Sequence, residues 1–450
     1  MGSGFLLVTG CGDETKLQPD AAPRIDAPVD APEIILTTEE IAATKLLSPL
    51  PEVPADTTNA FANDAAAAAL GQKLFFDKSY SGALAIADNG TNGGLGKVGD
   101  TGKVSCASCH SAGSPGLDDQ RSTPNNVSLG TDFGTRNALN VVSSSFYAWT
   151  NWGGRFDSQW SLPLAVAENA RIMKSSRLQL AHMLYAKYRT EYDAIFPVAL
   201  DPDLDPAAPN AARFPPTGKP KAAPTDPDGP WELMAPADRD IVNRIFANYG
   251  KAVAAYMRKL VSRDAPFDRF VAGDESAISV SAIRGIKVFL NKGCVTCHGG
   301  PTFSDASFHA LAVPQLGPNV PMTDLGRFQD VPGLLASPFN SNGAFSDDIT
   351  TGRLTGLVQV DSQKGQFRTR SLRNVAGSGA FMHSGQFATL ADVITFYDQG
   401  GGDVGTSGIV KDPLIVQLSL SAQDKLDLVA FLETLTGEPV PPRLLVDTSK

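Results

Sequence analysis

Cysteine and histidine are scarce in this chain, with five of each among 450 residues. Aromatic residues make up only 8%, and no apolar run approaches the ~20 residues of a transmembrane helix. The formal net charge of −10 disfavours nucleic acid and an anionic membrane surface as partners. The apolar content of 42% is nevertheless sufficient for one large or two medium hydrophobic cores.

Four of the five cysteines fall into two copies of the pattern Cys-x-x-Cys-His, at residues 106–110 and 294–298. This spacing is typical of c-type haem attachment, in which two thiols bind the porphyrin and the adjacent imidazole binds the iron. Zinc or disulfide sites would explain the cysteine pairs but not the histidine after each pair. The sequence therefore predicts two covalent haems. Their attachment residues would be Cys106, Cys109, His110, Cys294, Cys297 and His298.

The fifth cysteine, Cys11, ends a stretch that resembles the end of a bacterial lipoprotein signal. The stretch has no positively charged residue at its start, and its apolar core is shorter than the ~7–15 residues of a normal signal. A free cysteine in a tail is therefore the alternative. The Pro- and Ala-rich segment that follows is typical of an extended tether. Because haem c is assembled outside the bacterial cytoplasm, we expect a periplasmic or cell-surface protein. Residues 1–40 would be signal remnant and tether, with a possible lipid anchor at Cys11.

Apolar periodicity predicts helices rather than strands. An alanine-rich segment, residues 55–76, precedes the first motif, and residues 281–290 form a short helix before the second. Apolar side chains recur at spacings of three and four over residues 242–260. A capping box of Ser421 and Asp424 would open the C-terminal helix. The expected fold is mainly α, with two cytochrome-c-like haem domains packed around an inter-domain interface.

Further motifs accompany the two haem patterns in a fixed order. They are residues 70–77 (Leu-Gly-x-x-Leu-Phe-Phe-Asp), 136–137 (Arg-Asn), 152–155 (Trp-Gly-Gly-Arg), 371–374 (Ser-Leu-Arg-Asn) and 381–385 (Phe-Met-His-x-Gly). Because these motifs occur in the order found in that family, the chain resembles the bacterial diheme cytochrome c peroxidase superfamily, which includes the methylamine-utilisation enzyme MauG. The resemblance covers about residues 40–437. It implies one haem that reacts with peroxide and a second that stores or relays an electron.

The domain boundaries follow from two similar halves, each with one haem motif, that the polar segment 263–276 links. The peroxidatic haem domain would span residues 41–270, and the electron-transfer haem domain residues 271–440. Residues 201–230, rich in Pro, Ala and Asp and without apolar periodicity, would form a surface insertion in the first domain.

The resemblance also implies a tryptophan between the haems and a calcium ion at the domain interface. Trp152 matches the tryptophan, with a core role for Trp152 and the neighbouring Trp149 as alternatives. The calcium ligands would be the side chain of Asn137 and the carbonyls of Ser378 and Ala380, with water completing the site. Asn137 could equally cap a helix.

The distal sides of the two haems are expected to differ. No histidine lies between His110 and His182, and the loop 111–130 holds no methionine, so the first haem should be open to peroxide unless Met173 or His182 reaches it. For the second haem, the resemblance places the distal ligand at Tyr397, where peroxidases of the family commonly have Met and MauG has Tyr. A phenolate favours the higher oxidation states of iron. The alternative is a core tyrosine.

One departure from the family concerns the acid–base residue for peroxide cleavage. Ile172 and Met173 occupy the place where the family has a Glu-Met pair, and the nearest carboxylate is Glu168, one helical turn earlier. Glu168 is therefore the candidate acid–base group, with a surface glutamate as the alternative. His309 and His383 are expected to be structural or to lie next to ligands.

Three functions fit these residues. The first is a peroxidase that reduces hydrogen peroxide with electrons from a small redox protein, a cytochrome c or a cupredoxin. The second is a MauG-like oxidase that modifies aromatic side chains of a protein substrate through Trp152 and Tyr397. The third is a non-enzymatic diheme electron carrier, which would need two filled iron coordination shells. The family also makes a homodimer a candidate assembly.

Overall fold

The structure, a computed structural model, describes residues 36–88, 94–110, 126–405 and 408–450. Within these ranges the chain is mainly helical with little sheet, which confirms the mainly α part of the predicted fold class. None of the described helices has the length and apolarity of a membrane span. The α-helices are α1 Thr38–Lys45, α2 Ala65–Phe76, α3 Cys106–Cys109, α4 Ser161–Glu168, α5 Arg177–Ile195, α6 Pro236–Met257, α7 Pro266–Val271, α8 Val280–Asn291, α9 Cys294–Cys297, α10 Arg327–Ala336, α11 Leu390–Asp398 and α12 Ala422–Glu433. Two short strands, β1 Phe308–Ala310 and β2 Gln366–Arg368, pair antiparallel.

Side-chain caps fix the start of several helices. The backbone N–H of Asp424 donates to the Ser421 hydroxyl and the Ser421 N–H donates to the Asp424 carboxylate, so the predicted capping box of α12 is confirmed. The expected helix over residues 55–76 was too long at its N-terminus. Asp64 accepts a hydrogen bond from Ala67 N and fixes the start of α2 at residue 65.

The helix before each haem motif crosses a later helix at very close range. α2 crosses α6 at Gly71, where an added Cβ would overlap the backbone carbonyl of Ala252. α8 crosses α12 at Gly285, where an added Cβ would overlap the carbonyl of Asp427. Glycine permits this approach because it has no side chain. The two halves of the chain therefore repeat one arrangement of a helix pair next to a Cys-x-x-Cys-His turn.

Buried apolar side chains form two main clusters. The first draws mostly on residues 70–260, and the second mostly on residues 267–435. Leu36 and Leu47, near the start of the described chain, belong to the second cluster rather than the first. The N-terminal segment thus packs on the half that contains the second haem motif. Leu36–Lys450 together form one compact unit.

The predicted insertion at residues 201–230 is irregular, as expected, but it is anchored to the core. The Arg213 guanidinium forms ion pairs with Asp203 and Asp238, each with an N···O distance of 2.6 Å. Leu204 and Phe214 are buried in the first cluster. Apolar anchors with irregular spacing leave no periodic signal in a sequence.

Candidate functional site

The two Cys-x-x-Cys-His motifs adopt the same local structure. Each is a single helical turn, α3 or α9, which places its two thiols on one face. In each motif the histidine ends the turn, and its backbone N–H donates to the carbonyl of the first cysteine at 2.9 Å, His110 to Cys106 and His298 to Cys294. The two thiols and the imidazole can therefore meet one flat ligand.

Both motif histidines are suited to bind iron as neutral imidazoles. Burial lowers the pKa of His110 to about 4 and also lowers the pKa of His298. His298 Nδ1 donates to the Phe303 carbonyl oxygen at 3.1 Å, which leaves Nε2 with a free lone pair. Iron-binding histidines in proteins are usually oriented by this kind of hydrogen bond.

A cavity of about 370 Å³ adjoins the second motif. Its volume lies within the usual range for ligand sites, roughly 300–1,000 Å³. The residues that matter for its chemistry are Cys294, Cys297, His298, Trp152, Arg368 and Tyr397. Thiols, an imidazole, a phenol and a cation thus face one mostly apolar space.

Arg368, at the end of β2, tests whether a haem fits this cavity. The residue is only 4% exposed, and its Nε and Nη1 atoms have no hydrogen-bond partner among the described residues. Burial and the nearby Arg370 lower the pKa of Arg368 to about 9. A buried guanidinium without an anion is costly. A haem propionate would supply the missing carboxylate, so the residues that line this cavity fit a haem.

Tyr397, on α11, lines the same cavity as His298. Its hydroxyl makes no hydrogen bond within the described residues. Burial raises the pKa of Tyr397, which keeps the phenol neutral in the absence of a cation. A metal ion at the phenol oxygen would reverse this preference. The phenol thus lines the same cavity as the His298 imidazole, and ligation of iron by Tyr397 stays a prediction.

Trp152 lines the cavity, whereas Trp149 does not. The indole Nε1–H of Trp152 donates to the Asn137 carbonyl at 2.8 Å. The Arg370 guanidinium lies 5.7 Å from the centroid of the Trp152 ring. Trp149 instead lies beneath the guanidinium of Arg327, at 4.8 Å. Of the two tryptophans considered from the sequence, only Trp152 lines this cavity, and its role as a redox relay stays a prediction.

An aromatic stack connects Trp152 to a buried ion cluster that the sequence did not reveal. The His383 ring meets Trp152 edge-on at 6.2 Å and stacks on Phe367 at 3.7 Å. The guanidinium of Arg136 covers Phe367 at 5.3 Å. Arg136 in turn binds Asp324 at 2.6 Å and Asp330 at 2.7 Å. Arg136 stood out in the Arg-Asn motif, but the two aspartates carried no local signal.

The three predicted calcium ligands converge only in part. Asn137 Nδ2 lies 3.4 Å from the Ala380 carbonyl oxygen, and the Asn137 backbone N–H donates to the His383 carbonyl at 2.8 Å. Ser378 and Ala380 line the cavity. Because amide O and N atoms are assigned from their hydrogen bonds, rotating the Asn137 amide would bring two oxygens together, as a cation site requires.

Glu168 is held in an ion pair. Its carboxylate accepts from Arg177 Nε at 2.9 Å and from Nη2 at 2.8 Å, and also from the Arg177 backbone N–H. The Arg177 guanidinium is itself covered by the Phe246 ring, at 5.1 Å. An acid–base role would require Glu168 to exchange protons while paired with this cation. That role stays a prediction.

The other candidate distal ligands have different partners. His182 Nδ1 lies 2.9 Å from the Leu204 carbonyl, and Nε2 lies 3.0 Å from the Phe214 carbonyl. Met173 is buried in the first apolar cluster. His309 lies between two carboxylates, with Asp412 at 2.6 Å from Nδ1 and Asp305 at 2.9 Å from Nε2, in keeping with a structural role. Cys11 and residues 111–125 of the loop after the first motif lie outside the described residues.

Comparisons with known proteins identify relatives of this chain. A family model for di-haem cytochrome c peroxidase matches residues 65–276. Cytochrome-c peroxidase IdrP1 of Denitromonas iodatirespirans is 30% identical over 396 residues, which is 87% of this chain and 86% of that protein. Methylamine utilization protein MauG of Methylorubrum extorquens is 36% identical over 189 residues, 42% of this chain and 44% of that protein.

Other curated relatives align over a shorter part. The chain spans about half the length of the two cytochrome-c peroxidases of Pseudomonas sp. strain SCT, at 50% and 48%. Among solved structures, the diheme peroxidase BthA from Burkholderia thailandensis superposes with a TM-score of 0.57 at 20% identity, covering 87% of this chain and 95% of that one. At this identity the likeness bears on the fold alone.

Proposed function

The chain belongs to the di-haem cytochrome c peroxidase family, and on that basis we propose that it is a peroxide-using oxidoreductase with two covalent c-type haems. Relatives that carry curated names are cytochrome-c peroxidases and MauG, which are haem-dependent oxidoreductases. The observation that carries the proposal is the cavity shared by His298, Tyr397 and Trp152. The non-enzymatic electron carrier explains neither these relatives nor a phenol at this position.

Two bound haems would supply the redox chemistry, with peroxide reacting at the first and one oxidising equivalent held at the second. His110 and His298 provide the proximal imidazoles. Arg368 would neutralise a propionate in the second site, since its guanidinium is buried without another anion. Trp152 lies at the wall of the second site with its N–H held by the Asn137 carbonyl, and it would relay electrons between the two haems.

Tyr397 favours one branch of the family chemistry. A phenolate oxygen is a hard anionic donor that stabilises oxidised iron, whereas a methionine sulfur stabilises reduced iron. A Tyr-ligated second haem is therefore suited to hold an oxidising equivalent. This favours oxidation of aromatic side chains in a protein substrate as a second candidate function, beside peroxide reduction with electrons from a small cytochrome c or cupredoxin.

The remaining parts of the proposal follow from the sequence motifs. We retain two haem domains at residues 41–270 and 271–440, a calcium ion at Asn137, Ser378 and Ala380, and Glu168 as the acid–base group. A periplasmic or cell-surface location follows from the extracytoplasmic assembly of haem c. Lipid attachment at Cys11 and a homodimer remain part of the same proposal.

The test is the optical and low-temperature EPR spectrum of the purified ferric holoprotein before and after one equivalent of hydrogen peroxide. We expect one high-spin and one low-spin haem, with both signals changing on addition of peroxide. In the Tyr397→Phe variant the low-spin signal should change and the reduction potential of the second haem should rise, because an anionic ligand is lost. Tyr147→Phe is the matched control. Tyr147 lines the same cavity, but its hydroxyl donates to the Thr302 carbonyl at 3.5 Å.

Two low-spin haems that do not respond to peroxide would refute the enzyme proposal. A Tyr397→Phe variant with the spectrum and potential of the parent protein would refute ligation by Tyr397 while leaving the peroxide reaction intact. A Tyr147→Phe variant that behaves like Tyr397→Phe would show that the change reflects the cavity rather than iron ligation.

A further inference from the structure

Helix α5 carries three tyrosines whose hydroxyl groups have chemically different partners. The Tyr185 hydroxyl accepts a hydrogen bond from Arg189 Nη1 at 2.7 Å, and the Tyr192 hydroxyl accepts one from Asn248 Nδ2 at 2.8 Å. Tyr188 donates its O–H to Asp77 Oδ2 at 2.8 Å. Among the described residues, no other tyrosine donates to a carboxylate.

This partner matters because a phenol loses its proton when it loses an electron. A carboxylate at hydrogen-bond distance can take that proton in the same step, whereas a guanidinium or an amide N–H cannot. Burial raises the pKa of Asp77, but hydrogen bonds from Ser79, Tyr188 and Lys187 outweigh it and lower the pKa overall. Asp77 is therefore ionised and able to accept a proton.

The last turn of α2 joins this pair to the first haem motif. Asp77 caps α2, and Lys73 on the same turn lies 5.9 Å from the Tyr188 ring centroid. Phe75, also on this turn, has its ring 6.4 Å from the ring of His110. The last turn of α2 thus contacts both the pair and His110. The backbone of α5 departs from helical geometry at Tyr188, with φ −129° and ψ 18°.

Charge also distinguishes Tyr188 from Trp152. The Arg370 guanidinium over Trp152 opposes a positive charge on the indole. Tyr188 would become a neutral radical because its proton leaves, so nearby cations do not oppose it directly. Lys187, 3.0 Å from Asp77, opposes proton transfer to that carboxylate. Glu191, paired with Lys73 at 2.7 Å, adds a compensating negative charge on the same side.

We propose that Tyr188 and Asp77 form a second redox site, separate from Trp152, that receives an oxidising equivalent from the first haem. In this step Tyr188 would give one electron to the first haem, which peroxide has oxidised. The hydroxyl proton of Tyr188 would move to Asp77 Oδ2. A neutral tyrosyl radical remains. A one-electron reductant at the protein surface restores the tyrosine, and Asp77 returns the proton. The proposal rests on the peroxide reaction of the proposed function.

The experiment mixes the holoprotein with hydrogen peroxide, freezes it within milliseconds to seconds, and records haem and radical EPR signals together. We expect a tyrosyl signal in the parent protein and its loss in Tyr188→Phe. Asp77→Asn should also abolish the signal while leaving the phenol in place. Tyr185→Phe, three residues away on the same helix, is the matched control and should retain it. Circular dichroism melting shows whether each variant is folded.

The outcomes separate this proposal from the function on which it rests. If the haem signals change but the parent protein yields no tyrosyl signal, or Tyr188→Phe retains it, the Tyr188 site is refuted and the peroxide reaction stands. If the haem signals do not change, both are refuted, since the oxidant of the step is missing. Loss of the signal in Tyr185→Phe as well would assign it to a different residue and refute the proposal.

Discussion

Removal of the Arg136 guanidinium should cost more stability than almost any other single change in the described chain. The Arg136 side chain is 10% exposed, and its partners Asp324 and Asp330 are 3% and 6% exposed. In Arg136→Met two buried carboxylates would lose their hydrogen-bonded counterion, and Asp330 would keep only the Coulomb attraction of Arg155 and Arg327. Breaking a buried pair in this way typically costs about 3–5 kcal/mol, because the remaining charge stays desolvated.

The cost should depend on pH with a definite sign. Burial already raises the pKa of Asp330, and without Arg136 the repulsion from Asp324 would raise that pKa further. A group whose pKa is raised in the folded state supports the fold at low pH and loses that support as the pH rises. The variant should therefore be most destabilised near neutral pH and recover part of its stability at about pH 5.

Urea unfolding of the holoprotein, followed by circular dichroism at both pH values, measures this difference. Arg189→Met is the control, because Arg189 is 48% exposed and its contact with Asp193 is 3.4 Å long. That change should cost at most about 1 kcal/mol. An Arg136→Met penalty below about 1 kcal/mol, or one that grows on acidification, would refute the desolvation argument. Near-ultraviolet dichroism should change as well, since Arg136 covers the stack that ends at Trp152.

Two further predictions concern packing and pH. Gly71→Ala should destabilise the protein by about 1–3 kcal/mol in urea unfolding, because the new Cβ overlaps the Ala252 carbonyl and must push α2 from α6. Gly333→Ala, within α10 and with no atom within 4 Å of the added Cβ, should be neutral or slightly stabilising, and an equal loss in both would contradict the close-approach argument. Burial lowers the pKa of His383 to about 3 from an ordinary 6.5, so the neutral ring supports the fold above pH 6.5 and this support is lost as the pH falls. His383→Gln should therefore show a weaker loss of stability from neutral pH to about pH 4, and an unchanged slope would exclude His383 as its source.

Local signals explain which features could be predicted from the sequence. The Cys-x-x-Cys-His turns and the capping box at Ser421 depend on residues three or four apart, and the structure forms these local elements as expected. The ion cluster of Arg136, Asp324 and Asp330 joins residues far apart in the chain, so no spacing rule could reveal it. Glu168 lies one helical turn before the place where the family has its glutamate, but this spacing could not show that Arg177 binds the Glu168 carboxylate.

The repeated helix crossings explain how one scaffold can hold two different sites. Glycine at residues 71 and 285 sets the same close helix pair beside each haem motif, so the proximal side of both sites is built alike. The differences lie in the side chains that this scaffold leaves free to vary. Beside the second motif they are a phenol and an unpaired guanidinium, which suit an anionic ligand and a propionate. Beside the first motif they are buried aromatic residues, with the ring centroids of Phe75 and Tyr256 5.2 Å apart and the rings tilted by 58°. Because electron transfer needs little geometric change and peroxide chemistry needs an open position, this asymmetry on a common scaffold is what two haems with different tasks require.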